Sequence, residues 1–420
     1  MSAATNSSPG ISMDRSADAQ IAPPHSSVFA PLREPLFRTL WITAVISYTG
    51  GWMQNIATGW LMTTLTKSPL WVALVQVALS LPVFLIALPA GALADSVDRR
   101  KFLMTTQTSM VAAAGVLGAL TITGVVTPQL LLVFTFLLGT GAVMNEPAWQ
   151  ALIPDLVAVP KLASAVALNS AGFNIARAVG PALGGLVIAT AGSGVAFLLN
   201  AFSFLGVILF LYRWKPASRE LPPAVSLSSS IGSGLRYARQ DHRIQAVLVR
   251  TLAFSLFVGA FWALLPLIAS GHGAGGYGIM LGCFGVGALV GAGLLAGIRR
   301  NFSFDAVVAA GNVIFAVAVF GLPRVHGLLG SSICAAAAGL AYLSNLATLN
   351  FVAQTAAPAW VRARVMSLYV LALQGGLALG SIIWGLVASQ IGIALTLTIA
   401  AAALCCCLVL GPWFRLKSTD

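Results

Sequence analysis

Long apolar runs alternate with short polar breaks along most of the chain. A helix needs about 20 apolar residues to cross the hydrocarbon core of a bilayer, and twelve runs have the length and composition to do so. The breaks carry Gly, Pro and most of the charged residues. The pattern predicts an all-α integral membrane protein with twelve transmembrane helices, at about residues 37–63, 70–94, 102–124, 128–148, 163–190, 194–213, 244–268, 274–298, 303–322, 327–352, 363–388 and 391–413.

One break, at residues 214–243, is much longer than the others. It contains three prolines followed by "SIGSGLRYARQDHRI", which is typical of a basic amphipathic helix on a membrane surface. Because this break separates six predicted helices from six, the chain divides into five parts. These are a disordered cytoplasmic N-terminus (1–36), an N-terminal six-helix bundle (37–213), a cytoplasmic linker with the amphipathic helix (214–243), a C-terminal six-helix bundle (244–414) and a cytoplasmic tail (415–420).

The two predicted bundles carry matching residues at a constant offset of 200 positions. Six-helix units repeated in the same sense indicate two pseudo-repeats related by an axis along the membrane normal. The matching residues are Gly91 and Gly291, Arg99-Arg100 and Arg299-Arg300, Asn145 and Asn345, Gly180 and Gly380, and Gly185 and Gly385.

Composition also favours a membrane protein. Only 8% of the residues are charged, whereas about a quarter are charged in a soluble domain. A net charge of +12 would favour a nucleic-acid partner in a soluble protein, but here the bases fall in breaks between helices. With the N-terminus in the cytoplasm, 20 of the 23 lysines and arginines lie on the cytoplasmic side. The positive-inside rule therefore predicts that both termini are cytoplasmic. We expect an inner (plasma) membrane protein with no nucleic-acid partner.

The stretch "GALADSVDRRK", residues 91–101, concentrates five charges between the second and third predicted helices. Asp95 follows Gly91 by one helical turn, and Arg99 and Arg100 come one turn later. An acid at this junction can meet both arginines and the positive end of a neighbouring helix. We expect this cluster to latch one arrangement of the two bundles. The simpler alternative is a charge cluster that only fixes orientation.

Ionisable residues inside predicted helices are costly and are functional candidates by default. Arg177 lies well within the fifth helix, and Glu146 lies near the inner end of the fourth. We expect the two to pair and Glu146 to exchange a proton as a cavity alternates between sides. The alternative is that each side chain reaches the interface or binds a backbone carbonyl.

The stretch "NIARAVGPALGG", residues 174–185, predicts a bent and closely packed part of the fifth helix. Pro181 removes a backbone donor, which bends a helix. Small residues allow neighbouring helices to approach closely. Those of this motif are Gly180, Gly184 and Gly185.

A central cavity should be lined by polar and aromatic side chains that interrupt otherwise apolar helices. Such a mixture suits an amphipathic, partly aromatic solute. Each of these residues can instead be a packing or interfacial residue. The substrate-cavity candidates are Trp52, Gln54, Asn55, Gln76, Phe261, Trp262, Tyr342, Asn345, Tyr369 and Gln374.

The spacing Gly91-x-x-x-Asp95-x-x-x-Arg99-Arg100 resembles the signature of the loop between helices two and three in the major facilitator superfamily. The family usually has glycine where this chain has Asp98. Residues 180–185 resemble the span-five antiporter motif of that superfamily, which accompanies exporters more than importers. Three stretches are similar to the subgroup of the enterobactin exporter and the transmembrane secretion effectors. They are residues 50–60, 145–157 and 167–181.

This resemblance covers about residues 33 to 415. It implies a secondary active transporter that exports a small organic molecule, a siderophore or similar metabolite, by proton antiport and alternating access. The expected partners are the substrate, protons and the lipid bilayer. We expect a monomer that works with a periplasmic or outer-membrane export partner.

Other functions find less support in the sequence. No lysine follows a glycine, so the chain lacks a phosphate-binding GxxxxGK[ST] loop. Hydrolase and metalloprotease motifs are missing, and neither cysteines nor histidines have metal-ligand spacing. We therefore expect no enzyme, no cofactor and no metal site. The alternatives are a broad-specificity drug efflux pump and, less favoured, a membrane-embedded enzyme or sensor, which would need a cluster of His, Asp or Glu.

Overall fold

The computed structural model describes residues 29–214 and 236–416, apart from residue 359 and the side chains of residues 88, 91, 92, 94–96, 296 and 410. This part of the chain contains twelve helices of 14 residues or more, and no strand. They are α1 (Pro35–Leu65), α2 (Pro69–Ser96), α3 (Arg99–Ile122), α4 (Pro128–Leu152), α5 (Leu162–Ala191), α6 (Ser193–Arg213), α7 (His242–Ala269), α8 (Gly273–Asn301), α9 (Phe304–Gly321), α10 (Gly327–Ala356), α11 (Arg362–Ile391) and α12 (Ile393–Cys406).

The all-α class is confirmed, and the last predicted helix needs a correction. We predicted it at 391–413, but it begins at Ile393 because Gly392 adopts a φ of +82°, a left-handed conformation that ends a helix. A 3-10 turn at Cys407–Val409 interrupts it and a short helix at Leu410–Trp413 follows, so the membrane segment reaches the predicted end. Gly192 has a φ of +87° at the equivalent break between α5 and α6. The same turn therefore occurs twice, 200 positions apart.

The order of helix packing repeats from one half of the chain to the other. In the first half, α1 packs on α5 and α6, α2 on α4, and α3 on α4 and α6. In the second half, α7 packs on α11 and α12, α8 on α10, and α9 on α10 and α12. The halves meet through the pairs α2–α11 and α5–α8. These two pairs are equivalent, because α2 corresponds to α8 and α5 corresponds to α11. These pairings confirm two six-helix pseudo-repeats.

Large apolar side chains cover the outside of the bundle. Phe202, Val317 and Ile333 are each more than 60% exposed, which is favourable in hydrocarbon and costly in water. Ten segments of the described chain are long and apolar enough to cross a membrane, and one of them, residues 242–301, contains both α7 and α8. The protein is therefore a multi-pass membrane protein.

Successive helices cross the bundle in opposite directions, so the breaks between them lie alternately at its two ends, which we call faces. We call the face with the breaks after α2, α4, α8 and α10 the basic face, and the other the opposite face. Among the described lysines and arginines, Lys67 and Arg324 lie at the opposite face, Arg177 lies within α5, and the rest lie toward the basic face. The predictions for residues 1–28, 215–235 and 417–420 lie outside the described residues.

Candidate functional site

Three amide pairs link helices within the halves, two of them in the first half and one in the second. Asn345, fully buried on α10, donates to Asn312 of α9 at 2.8 Å. The equivalent Asn145 on α4 accepts from Gln107 of α3 at 3.1 Å. In the same way, Gln54 on α1 accepts from Asn200 of α6 at 2.5 Å. Two of the substrate-cavity candidates, Gln54 and Asn345, are thus hydrogen-bonded within their own halves.

The two arginines of the charged stretch bind groups of the first half. Arg99 Nη1 lies 3.6 Å from a carboxylate oxygen of Asp155, which follows α4. Arg100 donates from Nε to the carbonyl of Leu211 at 2.6 Å and from Nη2 to that of Tyr212 at 2.8 Å. Cations stabilise the carbonyl end of a helix in this way. The arginines therefore fasten α3 to α4 and α6.

Asp98, which departs from the superfamily pattern, has a local function. Its carboxylate accepts a hydrogen bond from the backbone N–H of Lys101 at 3.0 Å and caps the start of α3. The side chain of Asp95 is not among those that the structure describes, and the surroundings of Gly91 are not described either. The expected contact between Asp95 and the arginines stays a prediction.

The small residues of α5 pack against two different helices. A Cβ built on Gly180 would lie 2.6 Å from Cβ of Trp52, and one on Gly184 would lie 2.9 Å from Cα of Met53, both on α1. One built on Gly185 would lie 2.7 Å from Cα of Gly278 on α8, in the other half. The glycines therefore allow α5 to touch both halves at once.

A polar and aromatic face runs along α5 beside these glycines. Asn169, Phe173 and Arg177 are spaced four residues apart and so lie on one face of the helix. Asn169 lies beside the hydroxyl of Tyr48. The ring of Phe173 lies 5.3 Å from that of Tyr48 and 6.4 Å from that of Trp52. This face leads from the basic face of the bundle towards its middle.

Glu146, on α4, lies near the basic-face end of this polar and aromatic face of α5. It is exposed, accepts a hydrogen bond from Gln150 at 2.7 Å, and interacts electrostatically with Tyr48. Arg177 lies at the other end, where its charge interacts with Tyr342 of α10. The structure does not bring Glu146 and Arg177 together.

Arg177 has unsatisfied hydrogen-bonding capacity. Its Nε and Nη2 atoms are buried and have no hydrogen-bond partner. The carbonyl of Arg177 packs on α8, where a Cβ built on Gly285 would lie 3.2 Å from it. The backbone of Arg177 therefore lies at the interface between the halves.

Aromatic rings of the second half surround Tyr342. The Trp262 ring lies 6.1 Å from it and the Phe284 ring 5.6 Å from it, and these two rings lie 5.0 Å apart, edge to face. Phe261 stacks on Phe284 at 5.4 Å but is 1% exposed, so it supports the cluster from behind. Sequence reasoning missed Phe284, although its spacing of seven from Tyr277 on α8 was a usable signal.

The remaining candidates lie on helices that also face the other half. Tyr369, 3% exposed on α11, donates to the carbonyl of Leu346 at 3.2 Å and interacts with Tyr342. Gln76 on α2 donates to Ser80 at 3.0 Å. Within the described residues, no group of three His, Cys, Asp or Glu could hold a metal ion. Three other candidates are partly exposed, namely Trp52, Asn55 and Gln374.

Two six-helix halves that meet through two equivalent helix pairs, with charged and aromatic side chains between them, are the arrangement expected of a major facilitator transporter. Residues 26–420 match the family described as transmembrane secretion effector. The chain belongs to that family.

Curated relatives and solved structures agree with this assignment. The chain is 22% identical to the staphyloferrin A transporter of Staphylococcus aureus (strain NCTC 8325 / PS 47), over 87% of this chain and 92% of that protein. It is 25% identical to the multidrug efflux pump Tap of Mycolicibacterium fortuitum, over 86% and 91%.

Similar folds occur in two solved transporters. One is a bacterial homologue of the human lysosomal transporter Spinster, inward-facing and unoccupied, with a TM-score of 0.70, 14% identity and coverage of 92% of this chain and 96% of that one. The other is the nucleoside transporter NupG, with a TM-score of 0.70, 13% identity and coverage of 91% and 100%.

Proposed function

We propose that this transporter exports a small organic molecule, a siderophore or similar metabolite, across the inner (plasma) membrane by alternating access. The observation that carries this proposal is the electrostatic interaction between Arg177 and Tyr342, because the two residues belong to different halves. A solute bound between them would be exposed to either side of the membrane as the halves rock about it.

Relatives and motifs support export as the direction. The chain belongs to a family of secretion effectors, and the two relatives compared above are a staphyloferrin A transporter and a multidrug efflux pump. The motif at residues 180–185 resembles that of exporters. In a second step, release outside the cell would involve a periplasmic or outer-membrane partner.

Charge distribution supports the proposed orientation. The basic face would be cytoplasmic, with both termini on that side. The domains would be bundles at 37–213 and 244–414, joined by a cytoplasmic linker at 214–243, in a monomer. Residues Gly91, Asp95, Arg99 and Arg100 would gate the cytoplasmic face.

Protons would drive the cycle through Glu146. It is exposed on α4 and interacts electrostatically with Tyr48, which packs against the face of α5 that leads to Arg177. Of the acids whose side chains are described, it is the one without a cation or a helix N-terminus as partner. A carboxylate in this position can take up and release a proton as access alternates.

Inside-out vesicles test the function directly. Candidate siderophores and dyes are added to the medium, which the cytoplasmic face of the protein meets in such vesicles. An imposed proton gradient, acid inside, should drive uptake of the substrate, and a protonophore should abolish that uptake. Vesicles without the protein give the background. Uptake that ignores the gradient would contradict proton antiport, and no uptake of any compound would contradict the function.

A broad-specificity drug efflux pump is the second candidate. The rings of Trp262, Phe284 and Tyr342 favour it, because aromatic surfaces accept many apolar solutes. A panel of toxic compounds separates the two: a broad pump would protect cells from several unrelated classes, and a dedicated exporter would not.

A further inference from the structure

One cation between the halves has no counter-charge among the described side chains. Arg177 lies within α5, and two of its nitrogens are buried without a hydrogen-bond partner. The six acids whose side chains are described have other partners. Three form ion pairs, two cap helices, and Glu146 interacts with Gln150 and Tyr48. The ion pairs are Asp155 with Arg99, Glu34 with Lys161, and Asp305 with Arg250, and the caps are Asp98 and Asp241.

An uncompensated buried cation weakens a folded protein. A position that keeps one is therefore a candidate for binding an anion that comes from outside the chain. Arginine suits this role better than lysine, since its Nε and Nη2 form a rigid fork that matches the two oxygens of a carboxylate. In Arg177 these are the two nitrogens that lack partners.

The surroundings of Arg177 specify the rest of the ligand. Tyr342 interacts electrostatically with the guanidinium, and Trp262 and Phe284 form an edge-to-face pair beside Tyr342. Flat apolar surface next to a cationic fork favours a planar ring that carries an acid.

We infer that Arg177 is the anion-recognition group of the transport site and that the substrate is an aromatic carboxylate. The carboxylate binds Nε and Nη2 of Arg177, and the ring packs against Trp262 and Tyr342. Since these nitrogens are buried between the halves, the ligand reaches them when the halves separate. The inference rests on the proposed function for the existence of a transported substrate and adds its chemical class.

Equilibrium binding tests this with a matched pair of probes. Calorimetric titration of the purified full-length protein in detergent compares 2-naphthoate with 2-naphthamide, which have the same ring and differ in charge. The wild type should prefer the acid. Arg177→Gln should weaken binding of the acid about tenfold or more, the worth of a charge-assisted hydrogen bond, and leave the amide within about twofold. Arg177→Lys should recover part of the loss, and Arg324→Gln, at the opposite face, should match the wild type.

Each outcome decides the inference. Equal binding of acid and amide by the wild type, or no binding of either, overturns it, as does an unchanged preference in Arg177→Gln. If Arg177→Gln does not fold, the inference is still tested by the preference of the wild type for the acid over the amide and by the binding of the acid to Arg177→Lys. Vesicle uptake is a separate measurement: charge preference without transport would refute export only, whereas transport that is indifferent to Arg177→Gln would refute the anion site only.

Discussion

Gly185 of α5 and Gly278 of α8 touch backbone to backbone where the two halves meet near the opposite face. A Cβ added to either one would lie 2.7 Å from the Cα of the other. Real Cβ atoms do not approach another atom so closely, so a side chain at either position must separate the helices. These two glycines therefore allow the halves to close at this end.

We predict that Gly185→Ala and Gly278→Ala favour separation of the halves at the opposite face. Spin labels on cysteines placed at positions 67 and 271, in the breaks after α1 and α7, should report a longer mean distance in either variant. Gly115→Ala is the matched control, because no atom lies within 4 Å of the added Cβ. An unchanged distance distribution in both glycine variants would show that this contact does not hold the halves closed.

Asp305 fastens the end of the chain to α7 and α9. It accepts from Arg250 at 2.6 Å and from the backbone N–H of Leu416 at 3.1 Å, and the Arg250 side chain is only 10% exposed. We predict that Asp305→Asn costs about 3 kcal/mol of unfolding free energy, because it leaves a buried cation unpaired. Thermal unfolding in detergent measures this.

The surface pair of Glu34 and Lys161 provides the comparison. Its two atoms are also 2.6 Å apart, but the side chains are 40% and 32% exposed. Glu34→Gln should cost less than about 1 kcal/mol, since solvent screens such pairs. Equal losses in Asp305→Asn and Glu34→Gln would mean that burial does not set the worth of the Asp305 contact.

The helices were predictable because apolar length and helix-breaking residues are local properties. Repeated glycines such as Gly192 and Gly392 sit at equivalent breaks, so one half predicts the other. Side-chain partners were less predictable, because they depend on packing between distant segments. Gln54 accepts a hydrogen bond from Asn200, 146 positions away, and Arg100 donates one to the carbonyl of Leu211, 111 positions away.

The offset of 200 positions separates polar residues that occur in both halves from those that occur in only one. A polar residue repeated in both halves, such as Asn145 and Asn345, is suited to a structural role, because each copy can make the same contact within its own half. Arg177 has no such copy, since Leu377 stands at the equivalent position. A charge present in only one half fits a function for the whole bundle.

We predict that Glu146→Gln abolishes transport driven by a pH gradient but leaves exchange of labelled for unlabelled substrate. The amide has the shape of the acid and cannot carry the proton, so only the coupled step should stop. Uptake and exchange in the same vesicles measure the two activities. Glu34→Gln, in the exposed ion pair, serves as control. Full pH-driven uptake by Glu146→Gln would rule out Glu146 as the coupling group.

Arg177→Met should make the protein more stable and less active. Methionine fills similar space without a charge, so removing a buried cation that lacks partners should raise the unfolding free energy by about 1–2 kcal/mol and the thermal midpoint by a few degrees. The gain should appear in the absence of ligand, while vesicle uptake is lost. Arg100→Met gives the opposite sign, because its guanidinium bonds two carbonyls at the end of α6. If Arg177→Met were as destabilised as Arg100→Met, Arg177 would be a structural residue whose partners form in the folded state.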